Sequence, residues 1–206
     1  MFKKFAETPL TLWIALAVVV ALCVIFAALV KTRRKWNARM LASGALCVAL
    51  SFMLSYIKLF SLPMGGSLTL CSMLPIVAYA CAFGPLYGFT AGLAFGVLQL
   101  IQDFYVIHWA QLLLDYFFAF ACYGIAAYFP NKLTLGIAVA GLCRMLCSTL
   151  SGGIFFADSA VDAGWSNAWL YSLAYNGSTI GAETVLCVLV SLLPPVKKVL
   201  GLMKSE

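Results

Sequence analysis

QLLLDYFFAF, Gln111 to Phe120, decides the fold, because it holds one carboxylate, Asp115, inside an apolar run long enough to lie within a bilayer. A charge at the middle of a membrane helix costs about 3 kcal/mol on insertion scales, so such a group is paired or faces a polar cavity. The composition around it allows no soluble alternative. Hydrophobic residues make up 64% of the 206-residue chain, charged residues only 10%, and the mean hydropathy is +1.02; these values exclude a soluble globular domain. At about 20 residues per crossing, the chain accommodates six or seven helices and no extramembrane domain. The net charge of +6 points to no nucleic-acid partner, since the basic residues collect between and after the apolar spans, where they set topology.

Outward from Asp115, its span reads Trp109 to Phe129, with Asp103 to His108 as an outer turn and Pro130 to Lys132 as an inner one. Before it, Leu86 to Ile101 carries Gly88, Gly92 and Gly96 at four-residue intervals, a stripe that lets two helices pack closely. Thr69 to Phe83 precedes that, with Pro75 as an expected kink and Gly84-Pro85 as the turn. Lys58 to Leu70, KLFSLPMGGSLTL, reads as an outer loop because proline and paired glycines break a helix. Ala38 to Ile57 carries Ala42, Gly44, Ala45 and Ala49, small residues suited to internal packing or to docking a membrane partner. On the other side of Asp115, Leu133 to Phe156 carries Arg144 near its middle. ADSAVDAGWSNAW (157–169) is an outer loop in which Trp165 and Trp169 read as interface anchors, and Trp169 to Leu193 returns inward to Pro194-Pro195.

Leu10 to Val30 is uncharged and too long for the core of a signal peptide, so it reads as a retained helix. The basic loop Lys31 to Arg39 follows it, and Lys132, Lys197, Lys198 and Lys204 fall on the same side, whereas Asp103, Asp158 and Asp162 fall on the other. That balance places the N-terminus outside and the C-terminus in the cytoplasm of a multi-pass cell-membrane protein. The expected architecture is all-α and polytopic with seven spans. An extra N-terminal transmembrane helix and its basic loop occupy residues 1–37, and a six-helix domain occupies 38–206.

Three ionisable residues fall within the later spans: Asp115, Arg144 and Glu183. Asp115 lies about two turns inward of His108, roughly 10 Å below the outer surface. Its candidate partners are Arg144 on the next helix, in a buried pair that fixes register, or a cationic ligand entering from outside. Tyr105, Trp109, Tyr116, Tyr171, Tyr175 and Asn176 lie at comparable depth; Tyr171 and Tyr175 share a helix face, and Asn176 sits about 100° further round. Such a set suits a flat, partly cationic ligand held by aromatic faces, a carboxylate and an amide. The eight cysteines show no CxxC spacing, and even Cys143 and Cys147, four apart, read as packing, so neither metal nor cofactor is expected. His108, the sole histidine, stands at a loop edge, away from any serine partner for proteolysis. No G-x-x-x-x-G-K-[ST] loop is present. The chain therefore reads as a non-enzyme, and energy from ATP has to come through a partner.

GGSLTLCSMLPI (65–76), YVIHWAQLLLDY (105–116), SGGIFF (151–156) and YSLAYNGS (171–178) occur in this order on these helices. Together they resemble the thiamine-specific substrate-binding subunits (S-components) of energy-coupling factor transporters, the ThiT family, over residues 38–196. The resemblance implies a six-helix membrane fold that captures vitamin B1 from outside, its partners being membrane lipid, a transmembrane coupling subunit and two ATPase subunits. It implies that Asp115 contacts bound thiamine, that Tyr105, Tyr171 and Asn176 are pocket residues, and that Ala45 and Ala49 dock on the coupling subunit. Tyr116, beside Asp115, and Ser148, which stands where the family pattern has histidine, complete the expected ligand set; a serine hydroxyl hydrogen-bonds with shorter reach and no charge. The family tryptophan after the SGxIFF-like run also has no match, Phe156 or Ala157 standing there. These departures leave a thiamine precursor or related heterocycle as the alternative ligand. Outside transport, the alternative is a membrane scaffold in which Asp115 and Arg144 merely pair.

Overall fold

A computed structural model describes residues 36–204 together with Trp13, Ala17, Val20, Ala21 and Val24. The chain separates into two compact units, Met1–Lys31 and Thr32–Glu206. The expected first span, Leu10 to Val30, and most of its basic loop lie outside the described residues, save for those five helical positions. The described residues of the second unit are all-α apart from one β-hairpin. Among its described residues, helices α1 (Ala38–Ser55), α4 (Trp109–Tyr128), α5 (Leu133–Phe155) and α7 (Ala168–Ser191) are long and apolar enough to cross a membrane.

Helix α2 (Leu74–Phe83) is shorter, and Ile76 through Cys81 are all buried, as befits a helix apolar on every side. Pro75 does not kink it, contrary to expectation. It stands in the first turn, where its missing N–H leaves no hydrogen bond unmade, so the helix starts later than Thr69. Helix α3 (Pro85–Gln102) follows and packs on α4 through its glycines. A Cβ on Gly92 would run into the Phe120 carbonyl, and one on Gly96 into the Tyr116 carbonyl; the glycine stripe is a backbone-to-backbone contact. Gly152 and Gly153 of α5 instead make room for side chains of α7, Ser172 and Trp169.

The connection at Lys58 to Leu70, expected as an outer loop, holds a hairpin. Strands β1 (Lys58–Ser61) and β2 (Ser67–Thr69) pair antiparallel, Phe60 with Leu68 and Ser61 with Ser67. The connection turns through left-handed backbone at Met64 (φ 63) and Gly65 (φ 89), a conformation glycine adopts without steric cost. Two further helices escaped the sequence reading. Helix α6 (Ala157–Asp162) lies in the 157–169 loop, and α8 (Pro194–Lys204) begins at the very prolines expected to end the chain's last helix. Proline stops the preceding helix but is well suited to open a new one.

Candidate functional site

Asp115 sits where α4 departs from regular geometry. The helix opens as α at Trp109–Leu112, widens to a π-helix over Leu113–Phe118, and tightens to 3-10 over Cys122–Tyr128. Helix α7 contains a second π segment, Gly177–Gly181, directly after Asn176. Such insertions accompany functional sites because they redirect side chains without ending the helix.

Between these distorted turns lies a cavity of about 160 Å³, lined by Tyr105, Asp115, Tyr116, Ser148, Tyr171 and Asn176, all six residues expected to bind a ligand. Hairpin residues Met64 to Ser67 cover one side of it. The hairpin is tied down at several points. The Tyr175 hydroxyl accepts from the Gly66 N–H at 2.8 Å and donates to the Pro63 carbonyl, and Lys58 pairs with Asp103 at the end of α3 at 2.7 Å. Aromatic rings surround the mouth: Tyr105 stacks on Phe156 with centroids 6.0 Å apart, and Tyr171 lies 6.1 Å from Tyr175.

The two candidate partners of Asp115 are now separable. Its Oδ2 accepts from Gln111 Nε2 at 2.9 Å and from Ser151 Oγ at 2.8 Å, with Ser148 as a further hydroxyl donor beside it. Every one of these partners is neutral. Arg144 does not pair with it; the guanidinium donates instead to Glu183 Oε2 at 3.3 Å and to the Tyr123 hydroxyl at 2.5 Å, with its carbon 4.4 Å from the Phe120 ring centroid. Of the two alternatives for Asp115, the pair with Arg144 is thus not formed, and Arg144 pairs with Glu183 instead. The cause is spatial: Glu183, 2% exposed, comes from α7 to the cavity floor, a depth that helix counting alone does not align. The other Glu183 oxygen accepts from Thr69 Oγ1 at 2.5 Å, Ser72 N–H at 2.9 Å and Ser72 Oγ at 2.7 Å. One carboxylate therefore joins the end of the hairpin, α5 and α7.

Gln111 also went unremarked. It is buried, and besides donating to Asp115 it donates to the Tyr105 carbonyl at 3.2 Å and accepts from the Ile107 N–H at 3.3 Å. The spacing of four from Asp115 was the available signal, since such pairs meet on a helix face. Asn176 donates its amide nitrogen to the Ser172 carbonyl at 2.9 Å, and Ser172 in turn donates to the Thr149 carbonyl at 2.9 Å, so the amide is held from behind. Ala45 and Ala49 lie elsewhere, exposed on α1 beside exposed Leu41, Leu46, Leu50 and Met53. Gly44 faces the interior, where an added Cβ would meet the Tyr79 hydroxyl at 2.9 Å. The small residues of α1 thus divide between a packed face and an open one. Among the described residues, no cluster of three or more His, Cys, Asp or Glu is placed to hold a metal.

Residues 41–201 match the family model described as thiamine transporter protein (Thia_YuaJ). The thiamine transporter ThiT of Bacillus subtilis (strain 168) is 31% identical over 147 residues, which cover 63% of this chain and 75% of that protein. A solved structure of ThiT from Listeria monocytogenes is similar in fold, with a TM-score of 0.67 and 21% identity over 82% of this chain and 97% of the other.

Proposed function

The chain belongs to the thiamine transporter family, and from that membership we propose that it is the substrate-binding subunit, or S-component, of an energy-coupling factor importer. In this reading it binds thiamine from outside and passes it inward through a transmembrane coupling subunit and two ATPases. Seven spans, with the N-terminus outside and the C-terminus in the cytoplasm, complete the reading, and residues 1–37, a helix with its basic loop, are an addition to a six-helix binding domain.

The single observation that carries it is Asp115, a carboxylate that lines the cavity while all its hydrogen-bond donors are neutral. A carboxylate held in an apolar span needs an opposite charge or a polar cavity, and the thiazolium of thiamine supplies the charge. Gln111 and Ser151 both engage Oδ2, which orients the group in the cavity. The rings of Tyr105, Phe156 and Tyr171 suit the two flat heterocycles. Asn176, its nitrogen committed to Ser172, offers an amide oxygen to a donor such as the aminopyrimidine. Ser148 approaches from α5 where the family pattern carries histidine. Ala45 and Ala49, on the open face of α1, are the proposed seat of the coupling subunit.

Equilibrium binding of labelled thiamine to the purified full-length chain tests the assignment. Saturable binding by the wild type is expected, and no thiamine binding alongside tight binding of another vitamin would sink the substrate while leaving the class. Ser148 favours one second reading, a thiamine precursor or related heterocycle. Ser148→His separates the two: if it raises thiamine affinity over that of the isolated ring fragments, position 148 sets specificity.

A further inference from the structure

The α4–α5 turn and helix α8 lie at the end of the helices opposite the ligand cavity, because α4 runs away from Trp109 and α7 away from Ala168. Between them is a cleft of about 500 Å³, lined by Lys132, Lys197 and Lys204 and, among the described residues, by no acidic group. Lys204 reaches across to donate to the Pro130 carbonyl, so the cleft is bridged by a side chain. Cations gathered in one cleft repel one another, and an anion between them relieves that repulsion. The first turn of α5, Leu133 to Leu135, forms one wall. No side chain caps that turn, and its N–H groups retain their capacity to donate to an anion.

The other wall says what the anion is attached to. Leu135, on the spanning helix α5, and Leu192, in the turn directly after α7, line the cleft and are 41% and 52% exposed. Helix α8 turns Val196, Leu200 and Met203 toward the core and leaves Val199 and Leu202 exposed beside Lys197 and Lys198, apolar and basic side chains together as on a helix at a membrane surface. A free inorganic anion would use the lysines and leave the leucines and most of the volume idle. We propose that this cleft seats the phosphodiester head group of an anionic phospholipid, with its acyl chains along Leu135 and Leu192. Basic clefts between membrane helices recognise lipid head groups by this combination of charge and adjoining apolar surface.

The test is lipid selectivity of the full-length chain in mixed micelles, comparing retention of labelled phosphatidylglycerol with that of phosphatidylcholine. A preference for phosphatidylglycerol is expected, falling about fivefold for each lysine removed and lost in the Lys132→Gln/Lys197→Gln/Lys204→Gln triple variant. Equal retention of the two lipids by the wild type overturns the proposal, as does an undiminished preference in the triple variant. Displacement of the labelled lipid by an equal concentration of inorganic phosphate also overturns it, since the cleft would then be a site for a free anion. Should the triple variant aggregate, the single change at exposed Lys197 carries the test, and no loss of preference there overturns the proposal equally.

Discussion

At the scale of single residues, Asp115, Arg144 and Glu183, set inside the later spans, divide into a pair and a solitary group. Arg144 and Glu183 pair with each other and are further held by Tyr123, Thr69 and Ser72, whereas the hydrogen-bond partners of Asp115 are neutral. The two carboxylates should therefore respond differently to removal. Asp115→Asn keeps the size and most of the hydrogen bonds, and it should weaken thiamine binding at least tenfold, about 1.4 kcal/mol, with little change in thermal unfolding; calorimetric titration reads this directly. Glu183→Ala leaves a buried guanidinium uncompensated and should destabilise the fold by about 3–5 kcal/mol, visible as a lowered melting temperature without ligand. Replacing both Glu183 and Arg144 by leucine should recover much of that loss, because a buried pair is worth little against apolar packing. If Glu183→Ala melts like the wild type, the pair is not structural. The positions of all three were legible in the sequence. Which carboxylate takes the arginine was not, because the answer depends on how α5 and α7 are rotated and aligned in depth.

At the scale of elements, the hairpin and the glycine seam do most to shape the cavity. The hairpin owes its place to the Tyr175 hydroxyl, which both accepts from Gly66 and donates to Pro63, and to Glu183 beneath it. Tyr175→Phe keeps the ring and deletes both bonds, each worth about 1 kcal/mol. Thiamine should then dissociate several-fold faster in stopped-flow or filter-release measurements, while folding is retained; an unchanged release rate would mean that the hairpin does not hold the ligand in. The seam between α3 and α4 tolerates no side chain, so Gly96→Val should prevent stable folding, read as loss of the monodisperse peak in detergent. Proline and paired glycine in KLFSLPMGGSLTL announced a break in helix, and the break is real. They did not announce a hairpin, because the strands are short and their pairing is secured by contacts from α3 and α7, remote in sequence. The π turns beside Asp115 and Asn176 were invisible for a similar reason: a widened turn leaves the apolar periodicity almost unchanged.

At the scale of the whole molecule, the unit Thr32–Glu206 presents a cavity at one end of its helices, a basic cleft at the other and an exposed small-residue face on α1. Binding and coupling should separate on these surfaces. Ala45→Trp with Ala49→Trp enlarges the open face of α1 without touching the cavity, so thiamine binding by the purified chain should be unchanged while vitamin uptake by cells is lost; uptake at the wild-type rate would remove α1 from the coupling interface. The sequence by itself determined that this is an all-α membrane protein, that Asp115 requires a partner, and which residues stand at its depth, because bilayer insertion is decided by composition and span length along the chain. Four ordered runs carried the resemblance to the ThiT family, and the family model bears it out. Only the tertiary structure decided that the six candidate ligand residues share one cavity, that Arg144 belongs to Glu183, that Gln111 and Ser151 hold Asp115, and that α8 and the α4–α5 turn enclose a basic cleft. Each of these turns on the rotation and depth of one helix against another, which is set by close contacts such as Gly92 on Phe120 and by hydrogen bonds between residues far apart in the chain.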